Sequence, residues 1–316
     1  MPEAYAALHE ALSIAAEGKV IEPARLMVQF PGGWLSLQPG ALPTKGYYGY
    51  KAYGGTKSKG VRYVVYLYDL NSGDLLAVID ADSLTVVRTG ALSGVGTKYL
   101  ARDDSKTLGL IGSGLQAGSL AEAVAHVRKL QRVKIYSRSK ENRDGFAKTL
   151  HRSLGVEAVG VDEPSMAVKG CDIVGLATSK MDTTPIVSGD WFEPGVHINA
   201  IGAVGRGRNE IDNRTFERSS LVVVDALEDC VAGAQELIDA LKVGAVKRED
   251  LVELSQIVIG RKPGRTSAQQ ITLLKSQGSG VQDVASAAKI YEVALKKGIG
   301  TDVGNLAPAM RIPAKA

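Results

Sequence analysis

The chain has 316 residues, 45% hydrophobic and 23% charged, which suits two folded domains and excludes a disordered chain. Its 38 Lys and Arg against 34 Asp and Glu leave +4, no electrostatic case for nucleic acid or a membrane, and neither is expected as a partner. Two cysteines, Cys171 and Cys230, exclude a disulfide scaffold and a cysteine-rich metal site and fit a reducing cytoplasm, where the protein is expected. No apolar run reaches the ~18 residues of a membrane span, and the acidic, alanine-rich start is unlike a signal peptide.

Ala4, Leu8, Leu12 and Ala15 fall at helical spacing, with Gly18 as a stop. Residues 25–30, 33–37, 49–53, 62–69 and 75–80 read as strands rich in Val, Tyr and Leu, separated by Gly, Pro and Asn-Ser-Gly turns. A helix over 83–99 carries Thr89-Gly-Ala-Leu-Ser-Gly. From Asp103 the texture changes. Strands are predicted at 106–111 and 132–136, helices at 116–130 and 141–150, then buried strands at 173–177, 196–200 and 221–224. Strand and helix alternate from 106 to about 260, the pattern of a doubly wound parallel Rossmann sheet in an α/β chain. A last helix over 281–297 leads into a Gly/Pro tail.

Gly112-Ser113-Gly114-Leu115-Gln116-Ala117 matches G-x-G-x-x-G/A between a predicted strand and a predicted helix. In that place Gly112 permits the tight turn, Gly114 lets backbone N–H groups reach a pyrophosphate, and Ala117 allows close helix–strand packing. An NAD site places an acidic residue after the next strand to bind the ribose 2′-hydroxyl. Here the strand runs into Ser137, Arg138, Ser139 and Lys140, which can donate to a 2′-phosphate, so NADP(H) is expected, with NAD(H) as the alternative. The competing reading of this stretch is an ordinary solvated basic loop.

Several motifs in order resemble the ornithine cyclodeaminase/mu-crystallin family: Arg88-Thr-Gly-Ala with Lys98-Tyr-Leu-Ala-Arg102, the 111–117 loop, and His197-Ile-Asn-Ala-Ile-Gly-Ala203. The 222–225 strand, Lys275-Ser-Gln-Gly278 and Gln282-Asp-Val-Ala285 complete the set, which covers nearly the whole chain. The resemblance implies a substrate-binding and dimerisation α+β domain from 1–103 and 295–316, with an antiparallel sheet, beside an NADP-binding Rossmann domain over 104–294. It implies a homodimer and a small α-imino or α-amino acid substrate. It also implies three basic site residues: Arg25 after Pro23, Lys51 in Gly49-Tyr-Lys, and Arg88 opening the Arg-Thr-Gly helix. An arginine suits a carboxylate, and a lysine can exchange a proton with an amine or imine when neighbouring cations lower its pKa. Ala177, Thr178, Gly202, Ser276 and Gly278 join the expected cofactor-binding set.

One departure matters. Cyclodeaminases and archaeal-type alanine dehydrogenases of this family carry an aspartate where Val204 follows Gly202-Ala203, which argues against cyclodeamination. Ser36 stands where the alanine dehydrogenases place an arginine. Glu210 and Asp212 are read as part of the next helix, and Asp225 as either a cofactor-side residue or a loop cap. His126 and His151 are expected at the surface, His197 and Cys171 as structural, and no metal site is expected. The leading expectation is an NADPH-dependent reductase of cyclic or N-substituted α-imino acids, reversible as an amino-acid dehydrogenase. The alternatives are an alanine-type dehydrogenase, an ornithine cyclodeaminase, and a crystallin-like protein that binds cofactor without turnover.

Overall fold

In the computed structural model, which describes residues 1–56 and 60–306, the helices and strands follow the expected order with several additions. The helices are α1 (Pro2–Ala16), α2 (Asp82–Leu100), α3 (Leu115–Val127), α4 (Lys140–Leu154), α5 (Pro164–Val168), α6 (Asn213–Arg218), α7 (Leu227–Gly233), α8 (Gln235–Val243), α9 (Leu254–Val258) and α10 (Gly280–Lys297). The first five strands are β1 (Leu26–Phe30), β2 (Gly33–Leu42), β3 (Tyr47–Thr56), β4 (Gly60–Asp69) and β5 (Leu75–Asp80). The rest are β6 (Thr107–Ile111), β7 (Arg132–Tyr136), β8 (Glu157–Gly160), β9 (Ile173–Leu176), β10 (His197–Ala200), β11 (Leu221–Val224), β12 (Val252–Glu253) and β13 (Thr272–Lys275).

Two compact units form: Met1–Ala16 with Val86–Gly278, and Glu17–Thr85 with Ser279–Ala316. The second unit is an antiparallel sheet in the order β1-β2-β3-β4-β5 with α10 packed on β2, β3 and β4. Alternation along the strands gives the sheet two faces. Ser36, Gln38, Leu42, Lys51, Val65 and Leu67 share one face and are buried. The other face carries Tyr48 stacked on Tyr68 at 4.9 Å and Tyr50 on Tyr66 at 5.0 Å, with Leu35, Val28 and Val78 exposed beside them. β2 runs five residues past its expected end, through Pro39. Ala41 N–H points away from β3, to the Ile21 carbonyl at 2.8 Å. Pro39, two residues earlier, turns its donorless nitrogen the same way, so the β2–β3 ladder loses nothing.

The first unit is a parallel sheet in the order β12-β11-β13-β10-β9-β6-β7-β8, flanked by helices. β13 lies between β10 and β11, yet the sequence reading has no strand there because only two leucines separate polar Thr272 from Lys275. Both polar ends are satisfied: Thr272 Oγ1 donates to the Leu100 carbonyl at 2.9 Å, and Lys275 pairs with Glu236 at 2.8 Å. β8 and β12 escape the reading for a simpler reason, having four and two residues at the sheet edges.

The compact units divide at 16/17, 85/86 and 278/279. Packing explains the two later divisions. All but the first turn of α2 belongs with the parallel sheet, where Gly90 backs onto α3 so closely that a Cβ would lie 2.1 Å from Ser119 Oγ. Arg128 then caps α2, its Nη2 donating to the Thr97, Lys98 and Ala101 carbonyls at 3.0–3.1 Å. At the other boundary α10 packs along the antiparallel sheet.

Candidate active site

In the parallel sheet the chain runs from β6 outward through β7 and β8, then returns to β9 on the other side of β6. The crevice at such a reversal, beyond the C-terminal strand ends, is where open α/β sheets bind ligands. Gly112 leaves β6 with φ +121°, its N–H held by the Tyr136 carbonyl at 2.9 Å. A Cβ there would lie 2.4 Å from the Ala177 carbonyl oxygen, so glycine is required twice over. Gly114 is the N-cap of α3 and offers no side-chain acceptor. Beyond its own chain neighbours no atom of the described residues lies within 4 Å of a Cβ built on Gly114, so the start of α3, with its unpaired first-turn N–H groups, has open space beside it. Gln116 Oε1 is buried without a hydrogen-bond partner among the described residues, and Ala117 is fully buried against the sheet. This arrangement fits a dinucleotide pyrophosphate.

At the end of β7, Ser139 is the N-cap of α4, accepting from Asn142 N–H at 3.2 Å, so its oxygen serves the helix while its O–H can still turn outward. Ser137 Oγ donates to the Ser139 carbonyl at 3.3 Å, and Arg138 is exposed. Lys140 pairs with Asp144 at 2.5 Å, and that ammonium, by its hydrogen bond, holds the Asp144 carboxyl below its ordinary pKa.

On the other side of the reversal, β9 ends in Ala177-Thr178 and β10 in Ile201-Gly202-Ala203. Glu210 ties these loops together. Its Oε1 accepts Thr178 N–H at 2.7 Å, and its Oε2 accepts Gly202 and Ala203 N–H at 2.9 and 3.0 Å. The sequence reading placed Glu210 with Asp212 in the next helix. Asp212 does cap α6, accepting Thr215 N–H at 2.9 Å, but Glu210 precedes it and turns inward. Glu236 Oε2 accepts Glu210 N–H at 2.8 Å, and Lys275 Nζ lies 2.8 Å from Glu236 and 3.0 Å from the Ala203 carbonyl. All three charged side chains are buried. Burial, then the neighbouring Glu236, push the Glu210 pKa up. Burial works to lower the Lys275 pKa, but Glu236 and Glu210 outweigh it and hold it above the ordinary lysine range.

Val204 sits in a turn clamped by Gln277, which donates to the Ala203 carbonyl at 3.1 Å and accepts Gly205 N–H at 2.9 Å. The 276–278 stretch is held in turn by Asp225. Its carboxylate accepts from Ser276 Oγ at 2.6 Å, Gln277 N–H at 3.1 Å and Gly278 N–H at 2.8 Å. Of the two readings for Asp225, the loop anchor is the one these bonds describe, and the Ser276 hydroxyl is committed to it. Gly278 has φ +71°, and a Cβ on it would lie 2.6 Å from Arg88 Nη1. The buried Arg88 guanidinium occupies the space a side chain would take.

In the antiparallel unit, Lys51 projects from β3 on the buried face, 1% exposed, with Nζ 2.7 Å from Asp283 of α10 and 5.1 Å from the Tyr53 ring centre. The contacting charge is a carboxylate, where the sequence reading called on neighbouring cations. Gln38 lies opposite Lys51, and half-buried Arg25 immediately precedes the Leu26–Leu37 pair next to Gln38. Ser36 is fully buried on the Lys51 face.

Elsewhere the side chains are structural. Buried His197 bonds Thr272 Oγ1 at 3.0 Å, and burial, with Arg265 nearby, pulls its pKa down to about 3. Burial pushes the Cys171 thiol up to about 11, unsuited to a nucleophile. His126 is exposed, and His151 lies within the last turn of α4 rather than behind it. Among the described residues no cluster of three or more His, Cys, Asp or Glu is placed to hold a metal, and no helix is long and apolar enough to cross a membrane.

The chain is similar to known proteins over most of its length. A Δ1-pyrroline-2-carboxylate reductase of Bacillus cereus is 37% identical over 246 residues, 78% of this chain and 75% of that protein. The Thermococcus litoralis Δ1-pyrroline-2-carboxylate reductase, solved with NADH and L-proline, superposes with a TM-score of 0.90 at 33% identity, covering 95% of each chain. An archaeal alanine dehydrogenase dimer with bound NAD gives a TM-score of 0.90 at 34% identity over 96% of this chain and 94% of that one. The family model for ornithine cyclodeaminase/mu-crystallin proteins matches residues 1–298. With the motifs, both sheets and nearly the whole length in agreement, the chain belongs to the ornithine cyclodeaminase/mu-crystallin family.

Proposed function

We propose that this protein is an NADPH-dependent reductase of cyclic or N-substituted α-imino acids, of the ketimine or 1-pyrroline-2-carboxylate type, running in reverse as an amino-acid dehydrogenase. The observation that carries the reading is Lys51, an ammonium group kept inside the protein against Asp283 at 2.7 Å. Burying an ion pair costs several kcal/mol in desolvation, and an apolar pair of similar volume would serve packing as well or better. Family membership and the identity to a pyrroline-carboxylate reductase support the same chemistry.

The reduced nicotinamide, when bound, supplies a hydride to the imine carbon. Gly112, Ser113, Gly114 and the start of α3 receive the pyrophosphate, and Ser137, Arg138, Ser139 and Lys140 the 2′-phosphate, with no carboxylate among those four to repel it. Arg25 and Arg88 are the candidates for the substrate carboxylate, each able to offer it paired N–H donors. Lys51 delivers a proton to the imine nitrogen, so that one hydride and one proton turn C=N into CH–NH. Asp283 keeps that ammonium oriented. Val204 offers an ammonium group no acceptor, which favours an imine with an apolar ring over a free diamine.

The exposed outer face of the antiparallel sheet supports a homodimer, the state of the archaeal alanine dehydrogenase structure. Two free, buried cysteines support a cytoplasmic setting. The second reading, an alanine-type dehydrogenase, draws on the match over 96% of the chain to that structure, while buried Ser36 speaks against it. The deciding assay compares NADPH oxidation with 1-pyrroline-2-carboxylate against alanine-dependent NADP+ reduction. The reading expects the first to exceed the second in kcat/KM; the reverse order, ammonia released from ornithine without net cofactor turnover, or tight binding with no turnover would overturn it.

A further inference from the structure

We infer that Glu210 is a positioning residue for the nicotinamide half of the cofactor, an inference that rests on the dinucleotide reading above. A doubly wound sheet binds a dinucleotide through two halves. Here the glycine turn after β6 and the basic stretch after β7 serve the adenosine half, which leaves the ends of β9 and β10 to the other. Both of those ends are fastened to one carboxylate. Glu210 is fully buried, and its two oxygens take the N–H groups of Thr178, Gly202 and Ala203 at 2.7–3.0 Å. Three converging donors match an acceptor-only group, so the ionised carboxylate completes the cluster and a neutral amide cannot.

The backbone of residue 210 is held as well. Glu236 takes the Glu210 N–H at 2.8 Å and pairs with Lys275 at 2.8 Å, while Lys275 reaches the Ala203 carbonyl at 3.0 Å. Residue 203 is thus tied to this buried charged set through both its amide and its carbonyl. The Gly112 turn packs against the Ala177 carbonyl but donates its own N–H to the opposite side, to the Tyr136 carbonyl at 2.9 Å. A change at Glu210 therefore acts first on the β9 and β10 loops, and the Tyr136 bond and the α3 N-terminus on the adenosine side do not depend on its carboxylate.

Glu210→Gln keeps the shape but turns an NH2 group toward at least one N–H donor. The test measures dissociation constants of wild type and variant for NADPH and for 2′,5′-ADP, a probe of the adenosine half alone. The expected result is NADPH binding weakened at least about tenfold, the scale of one orphaned buried donor, with 2′,5′-ADP unchanged within about twofold. Should Glu210→Gln fail to fold, Glu210→Asp, which keeps the charge but falls one methylene short, is expected to give the same split at smaller size. Equal losses for both ligands, or no loss for either, would overturn the inference. A wild-type protein that binds neither NADPH nor NADH would instead overturn the dinucleotide reading, a separate outcome.

Discussion

Replacing Asp283 by leucine leaves the buried Lys51 ammonium without the carboxylate 2.7 Å away. At that separation the attraction is about 6 kcal/mol for an effective dielectric near 20, much of it offset by the desolvation of both groups. Breaking one side of such a pair is expected to cost about 3–5 kcal/mol of folding stability, because the buried ammonium loses its contacting carboxylate. The double variant Lys51→Met with Asp283→Leu removes both charges while keeping side chains of similar reach and branching. Its stability is expected to return to within about 1–2 kcal/mol of wild type, since apolar replacement of a buried pair is often neutral. Turnover is expected to part company with stability, falling about 10²–10⁴-fold in the double variant for want of the proton donor. Urea unfolding and steady-state NADPH oxidation on the same preparations read both. A double variant as unstable as Asp283→Leu alone would refute the ion-pair argument, and one that turns over near the wild-type rate would refute the role of Lys51.

Arg138→Glu, on the exposed end of the β7 loop, is expected to raise the KM for NADPH about 10–100-fold and leave that for NADH nearly unchanged. An equal change in both would remove the 2′-phosphate assignment. His197 has its pKa drawn from 6.5 to about 3. Because the native state then resists a proton that the unfolded chain accepts, stability is lost as pH falls through the window between those two values. The urea midpoint of wild type is expected to drop more steeply between pH 7 and pH 4 than that of His197→Gln; parallel profiles would contradict this. Tyr66→Arg, in the middle of the half-buried tyrosine face of the antiparallel sheet, is expected to yield monomers by sedimentation, and an unchanged dimer would rule this face out as the interface.

What the sequence could reveal followed from how local each requirement is. The Gly112 turn is legible because a positive φ and a carbonyl 2.4 Å from any Cβ leave glycine no substitute, and strand and helix flank it in sequence. Lys51, Arg25 and Arg88 look like ordinary surface charges in isolation and are legible only through the family motifs around them. Glu210, Glu236 and Lys275 were not legible as a group. Each is a single charged residue distant in sequence from the others, and the pairing that buries them joins a loop, a strand end and a helix. Recognising Asp212 as the α6 cap would have been the one local clue, since it leaves Glu210 outside the helix. Ser139 misleads in the opposite way: its suitability as a phosphate donor and its role as a helix cap call for the same residue. Strand β13 hides because its burial comes from neighbours on both sides, not from an apolar run of its own.

The most direct test of the account follows one hydrogen. Purified protein incubated with 1-pyrroline-2-carboxylate and NADPH carrying deuterium at nicotinamide C4, in the transferred position, is expected to yield proline with a single deuterium on Cα. Proline without label, or cofactor that stays reduced while the imine is untouched, would contradict the claim that this chain brings a hydride to the carbon of a C=N bond.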